Sequence, residues 1–207
     1  MAKLKLTYFD FSGSRGEECR LALSIAGVDF EDERLSRKQW LERKANTPFG
    51  SVPVLQEEGK PALGQTNAIL ALIGRRHGLL PLDDDWEMAR LEALLAAGDD
   101  FRAAVSKTFR IEDPAESKAA REKLVAGPLT SFAQSAEAQI KGPFAGGEKL
   151  SVADIKLHVI VAWIKKGVLQ HVPTDAFDSF PKLSAVYEGV LAHPQVKAWY
   201  EKYPPSA

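Results

Sequence analysis

Four groups of residues in the N-terminal part of the chain have the types and spacing to hold and polarise a small charged ligand. Tyr8 ends the alternating run Lys3-Leu4-Lys5-Leu6-Thr7-Tyr8, where a strand hands over to the loop Asp10-Phe11-Ser12-Gly13-Ser14. Open α/β sheets bind ligands at such strand ends, although a strand-terminal tyrosine can equally pack in place with one partner for its hydroxyl. Thr47-Pro48-Phe49-Gly50-Ser51-Val52-Pro53-Val54-Leu55 sets two prolines around a glycine and then runs into an apolar pair. Pro53 has no N–H for a ladder and belongs at a strand's first residue or edge. Val52 is held extended before it, its N–H and C=O open to pair with a peptide-like ligand as a strand would. Gly64-Gln65-Thr66 then opens onto an apolar helix, whose first N–H groups and partial positive charge suit a carboxylate. Thr66 as a plain helix cap is the alternative. Trp40 and Lys44, four apart, share a helical face and offer an indole N–H and an ammonium to a second carboxylate. Read singly, they are a half-buried tryptophan and a solvated lysine.

These groups meet only if the elements carrying them fold as one unit. Cys19, Ala22, Leu23 and Ala26 recur at helical spacing after the first loop, with Gly27 placed to end that helix. Val28-Asp29-Phe30-Glu31 alternates as a second strand, and Ser36 to Lys44 reads as a turn or two of helix. Val54-Leu55-Gln56 is a third strand, Glu58-Gly59 a hairpin turn, and Pro61-Ala62-Leu63 a short fourth strand. Ile69, Leu70, Leu72 and Ile73 form the face of the next helix, stopped by Gly78. The order βαβ then ββα describes a small α/β unit over residues 1–80. Pro81-Leu82-Asp83-Asp84-Asp85 is a linker, and from Trp86 the pattern is helical throughout. One helix runs through Leu91, Leu94, Leu95 and Gly98 towards Phe109, and another from Pro114 to about Ile140. Ser151-Val152-Ala153-Asp154 is a capping box opening a third, apolar nearly all round. Phe180-Pro181 and His193-Pro194 start two more, and Tyr203-Pro204-Pro205 closes the chain. The expected second domain, 86–207, is all-α.

At 207 residues the chain can bury a proper core, and 45% apolar and 27% charged residues are ordinary for a soluble protein. A net charge of −1 argues against nucleic acid or an anionic membrane as partner. The single cysteine, Cys19, excludes an intrachain disulfide and agrees with a reducing, cytoplasmic setting. On the helical face with Ala22, Leu23 and Ala26 it reads as a small buried hydrophobe. No signal peptide or membrane span is expected. His77, His158, His171 and His193 lack metal-like spacing, so no metal is expected. Ala93, Ala97, Asp100 and Ala104 fall on one helical stripe, where small residues admit a close neighbouring helix with Asp100 amid the contact.

Taken together, Leu6-Thr7-Tyr8-Phe9-Asp10, Trp40 with Lys44, Pro48-Phe49-Gly50-x-Val52-Pro53-Val54-Leu55 and Gln65-Thr66-x-Ala68-Ile69 resemble the cytosolic glutathione transferases, nearest the sigma-class pattern. Asp99-Asp100-Phe101 and the Ser151 capping box match as well, so the resemblance spans essentially the whole chain. It implies a thioredoxin-like N-terminal domain that binds glutathione and an all-α helical bundle that shapes the electrophile site. It implies further that the Val52 backbone pairs with the cysteinyl part of glutathione across a cis peptide to Pro53. Gln65 and Thr66 would hold the γ-glutamyl carboxylate, and Trp40 with Lys44 the glycyl one. Tyr8 would donate its hydroxyl to the sulfur, because a free thiol, pKa ~8.5, is only a few per cent thiolate at pH 7. Asp100 would reach the γ-glutamyl amine bound to a neighbouring subunit, which makes the protein a homodimer. Asp99, by the same analogy, has a place at which some sigma members contact a divalent cation. Phe9, Phe11, Arg102, Ala103, Ser106 and Trp163 are candidate walls for a small hydrophobic electrophile. The chain departs from the family at Ser12-Gly13-Ser14-Arg15-Gly16-Glu17, which carries one extra residue. Arg15 is the match for the arginine that assists the thiolate, and Ser12 and Ser14 are rivals to Tyr8, as in classes that use a serine. The alternatives on this scaffold are a non-catalytic ligand-binding or crystallin-like structural protein and a glutathione-dependent isomerase or peroxidase.

Overall fold

The structure, a computed structural model, describes residues 3–204; the expected end at Pro205 lies outside them. Two compact units divide the chain: Met1–Asp83 with Leu191–Ala207, and Asp84–Val190. The division of the sequence at 1–80 and 86–207 differs from this in one respect, since the last residues group with the first unit.

In the first unit the elements are β1 (Leu4–Phe9), α1 (Ser14–Ile25), β2 (Glu31–Leu35), α2 (Arg37–Arg43), β3 (Val54–Glu57), β4 (Leu63–Gly64) and α3 (Thr66–His77). The sheet runs β2-β1-β3-β4, with β1 parallel to β2 and antiparallel to β3, and β4 antiparallel to β3. This is the thioredoxin-like arrangement. α1 packs on α3 over a core of Leu6, Leu21, Leu23, Ile69 and Leu70, with Cys19 fully buried among them. The second strand begins at Glu31, not at Val28, because the Val28 N–H returns to the Leu23 carbonyl and completes the end of α1. Its sequence Glu-Asp-Glu-Arg-Leu conceals it, since charged partners hold the strand: Thr7 Oγ1 donates to Glu33 at 2.8 Å and Arg43 to the same carboxylate at 2.7 Å. Burial alone would raise the Glu33 pKa, but these two hydrogen bonds together with the charges of Lys5 and Arg43 outweigh it and hold it low. The fourth strand is likewise displaced, to Leu63–Gly64.

The second unit holds α4 (Asp85–Thr108), α5 (Pro114–Leu124), α6 (Thr130–Gln139), α7 (Val152–Lys165) and most of α8 (Pro181–Ala192); α9 (Pro194–Lys202) belongs to the first unit. The single helix expected from Pro114 to Ile140 is broken by a π turn at Val125–Leu129, since Pro128 cannot donate an N–H to the ladder. α7 is buried from Val152 to Val161, as its all-round apolar pattern requires. Its capping box forms: the Asp154 carboxylate accepts from the Ser151 N–H at 2.8 Å and from the Ala145 N–H at 2.6 Å. Phe101 stacks on Phe132 at 5.0 Å, and Phe177 meets both edge-on. No helix among the described residues is long and apolar enough to cross a membrane.

Candidate active site

Register alone brings the sequence-predicted groups of the first unit to one edge of its sheet. Thr7 pairs with Val54, and Val54 with Gly64, so these three form a row across β1, β3 and β4. Because β3 runs opposite to its neighbours, the next residue beyond that row is Tyr8 on one strand, Pro53 on the second and Gln65 after the third. β2 reaches the same edge, with Arg34 opposite Tyr8 and Leu35 opposite Phe9, and leads through Ser36 into α2. The Ser36 capping box with Gln39 starts that short helix and sets the direction in which it carries Trp40.

The Val52–Pro53 peptide is cis, and Pro53 is buried. Gln65 takes a left-handed φ of 70° just before α3, leaving its side chain exposed. Thr66 is 96% buried by its 4% relative exposure, and among the described residues its Oγ1 has no hydrogen-bond partner. A buried hydroxyl without a partner costs about 1–3 kcal/mol, and here it stands at a helix N-terminus with open N–H groups. The plain cap is therefore the poorer account of Thr66. Trp40 meets Phe9 edge-on at 5.7 Å. Phe9, Phe11, Trp40, Leu35 and Leu41 line a cavity of about 510 Å³, with Arg37 at its rim. Lys44 is exposed at the C-cap of α2, in right-handed helical geometry with its N–H on the Trp40 carbonyl, one turn beyond Trp40 on the same face.

Tyr8 is only 5% exposed. Its ring lies against the first turn of α1, where a Cβ on Gly16 would fall 2.0 Å from the ring Cδ1. Phe9 and Phe11 meet the ring edge-on at 5.4 and 5.6 Å, and the Arg20 guanidinium carbon lies 5.7 Å from its centroid. The loop after Tyr8 enters α1 through two left-handed residues, Gly13 at φ 104° and Ser14 at φ 58°. Arg15 follows, half-buried, at the start of the helix, with Ser12 and Ser14 half-buried before it. Missed by sequence reasoning were Glu17 and Arg20, which are buried at 1% and 0% exposure and contact this loop. Their only sequence signal is an opposite-charge pair three apart within the charged first half of α1, which also carries Arg15 and Glu18.

In the second unit Ala93, Ala97, Asp100 and Ala104 line a groove of about 510 Å³ between α4 and α6, the stripe that the sequence marked. Asp99 turns inward, its carboxylate 3.0 Å from Nζ of the buried Lys156, which also donates to the Leu95 carbonyl at 3.0 Å. That ion pair, not a cation site, occupies Asp99, and no group of three or more His, Cys, Asp or Glu able to hold a metal occurs among the described residues. Arg102 is 3% exposed, Ala103 is exposed, and Ser106 donates to the Arg102 carbonyl at 2.8 Å. Trp163 packs at 6.4 Å on Phe109.

A thioredoxin-like unit with a cis-proline at its strand ends, followed by a helical unit, is the two-unit architecture that the sequence resemblance implies. Residues 4–75 match the family model for the glutathione S-transferase N-terminal domain and residues 99–203 that for its C-terminal domain. The hematopoietic prostaglandin D synthase of Gallus gallus is 30% identical over the full length of both chains. The solved prostaglandin synthase D of Nilaparvata lugens superposes with a TM-score of 0.87 at 34% identity, covering 99% of this chain and 100% of that one. A Caenorhabditis elegans glutathione transferase gives a TM-score of 0.86 at 27% identity, covering 100% and 99%. The chain belongs to the glutathione S-transferase family, enzymes whose co-substrate is glutathione.

Proposed function

We propose a sigma-like transferase that adds the glutathione thiolate to small hydrophobic electrophiles, with Tyr8 stabilising the thiolate. The observation that carries this reading is the row of Thr7, Val54 and Gly64, which sets Tyr8, the cis Val52–Pro53 peptide and the Gln65–Thr66 helix start side by side. The Val52 backbone then pairs with the cysteinyl part of the tripeptide. Gln65 and Thr66 take the γ-glutamyl carboxylate, the buried Thr66 hydroxyl finding its missing partner there. Trp40 and Lys44 take the glycyl carboxylate, and Arg15 assists the thiolate from the start of α1.

A hydrogen bond to a charged group contributes about 1.5–3 kcal/mol, and each pKa unit corresponds to about 1.4 kcal/mol. One such bond from Tyr8 brings a thiol of pKa ~8.5 close to neutrality. Tyrosine suits this role because its own pKa of ~10 keeps it a donor. Phe9 and Phe11 supply apolar wall to the electrophile from the cavity they line with Trp40. The enzyme works as a cytoplasmic homodimer in which Asp100 of one subunit serves the glutathione of the other. Phe49, 78% exposed, and the α4–α6 groove are among the exposed apolar features that favour self-association.

A second reading, a glutathione-dependent isomerase of the prostaglandin D synthase kind, is favoured by the names of the Gallus gallus and Nilaparvata lugens relatives. Both activities use the same thiolate and differ in whether glutathione is consumed. The test is retention on immobilised glutathione, with conjugation of a generic aryl halide by wild type and Tyr8→Phe. Wild type is retained and active, and Tyr8→Phe is retained with a rate lower by about 10- to 100-fold. Retention of the wild type without turnover on any electrophile removes the transferase reading. Full activity in Tyr8→Phe removes the tyrosine and promotes Ser12 or Ser14.

A further inference from the structure

Two buried side chains fasten the loop between Tyr8 and α1 at three backbone atoms. Arg20 donates from Nη1 to the Phe11 carbonyl at 2.8 Å and from Nη2 to the Phe9 carbonyl at 3.1 Å. Glu17 Oε2 accepts from the Gly13 N–H at 3.4 Å and from Arg20 Nη1 at 3.4 Å. The other carboxylate oxygen, Oε1, accepts the indole N–H of Trp199 on α9 at 2.9 Å, from a residue 182 positions further on. Asp32 balances Arg20 a second time at 2.9 Å and takes Arg34 at 2.7 Å. The Arg34 guanidinium in turn lies 4.5 Å from the ring of Tyr203, directly after α9. α9 and the residue that follows it therefore contact this network at two points.

A buried cluster of two carboxylates and a guanidinium is a poor way to gain stability, because desolvation offsets much of the attraction. Its geometric effect is specific. The loop enters its helix through two left-handed residues, Gly13 and Ser14, so each side chain that fastens its backbone helps to define its course. The three fastened atoms lie directly after Tyr8, and the guanidinium that fastens two of them also faces the Tyr8 ring. We infer that Glu17 and Arg20, secured by Trp199 of the C-terminal helix, are positioning residues that set the Tyr8 loop and through it the acidity of the bound thiol. The inference rests on the Tyr8 reading above. A hydrogen bond weakens steeply with distance and angle, so a loop freed at one of these points gives a weaker donor without loss of the carboxylate anchors.

Trp199→Phe keeps an aromatic ring against Phe30 and Tyr203 but removes the indole donor. The pH profile of kcat/KM, with the ultraviolet absorbance of enzyme-bound glutathione thiolate, gives the thiol pKa. That pKa rises by about half a unit to one unit, the rate below it falls about three- to tenfold, and KM for glutathione stays within about twofold. Glu17→Gln, which keeps an acceptor for Trp199 but withdraws the charge from Arg20, shifts the pKa the same way and decides the matter if Trp199→Phe does not fold. Val196→Ala removes buried packing from the same helix and leaves every hydrogen bond of the network in place, and lowers the melting temperature with the pH profile unmoved. Folded Trp199→Phe or Glu17→Gln with a wild-type profile overturns the inference. A shift in Val196→Ala equal to that in Trp199→Phe does so too. Tyr8→Phe separates the two layers. An unshifted thiol pKa there removes the Tyr8 reading itself. A shifted one beside an unshifted Trp199→Phe removes the positioning role alone.

Discussion

Gly16 has no side chain, and the ring of Tyr8 occupies the space where one would stand. A Cβ there would lie 2.0 Å from Cδ1 and 2.2 Å from Cγ of the ring. The ring cannot swing away cheaply, because it is 5% exposed and bounded by Phe9, Phe11 and Arg20. Overpacking of a core costs about 1–3 kcal/mol, and misplacing a reacting group by about 1 Å can cost on the order of 100-fold in rate. Gly16→Ala is therefore expected to lower the urea midpoint by that energy and conjugation by about 10- to 100-fold. A wild-type rate in a folded Gly16→Ala would show that the ring position does not matter. At this scale the sequence was informative where one residue type has one physical use. Pro53 cannot join a ladder, and Thr66 stands at a helix start. Nothing local marks Gly16 as more than a helix-end glycine, because the atom it makes room for belongs to another element. Glu17 and Trp199 escaped for the same reason, their hydrogen bond spanning 182 positions.

Elements were legible in proportion to how far apolar periodicity held them. α4 and α7 lie where the apolar pattern put them, while β2 slipped by three residues because its sequence is polar and its hold is the backbone ladder to β1. The Gly127–Pro128 π turn was invisible to periodicity, since apolar residues continue through it. The capping box of α7 is the clearest case of sequence specifying an element boundary. Asp154 is fully buried and accepts from the Ser151 and Ala145 N–H groups and from the Ser151 hydroxyl at 2.6 Å, so it joins the helix to the preceding loop as well as starting it. Asp154→Ala leaves two buried N–H groups without an acceptor, at about 1–3 kcal/mol each before relaxation. Loss of about 2–4 kcal/mol in chemical unfolding is expected. A loss below about 0.5 kcal/mol, the size of an exposed surface change, would mean that water or neighbours replace the carboxylate.

For the whole molecule, the same buried helix places a proton-linked control on stability. His158 is 1% exposed, stacks on Tyr187 at 5.0 Å, and donates from Nδ1 to the Tyr187 carbonyl at 3.0 Å. Burial drives its pKa down to about 4 from 6.5, with the hydrogen bond to Tyr187 acting weakly in the other direction. The folded chain thus binds this proton less readily than the unfolded chain. Between about pH 4 and 6.5 the unfolded state holds more protons, so stability rises with pH through that window and is complete above it. At pH 4.5 the loss relative to pH 7 from this one group is about 2–3 kcal/mol. His158→Gln keeps an amide donor for the Tyr187 carbonyl and cannot titrate. Urea unfolding at pH 7 and pH 4.5 isolates the histidine, because every carboxylate contributes equally to wild type and variant. Wild type should lose about 2–3 kcal/mol more than His158→Gln on acidification. Equal losses would mean that the ring is hydrated or rearranges when protonated, and that acid sensitivity of the fold arises elsewhere.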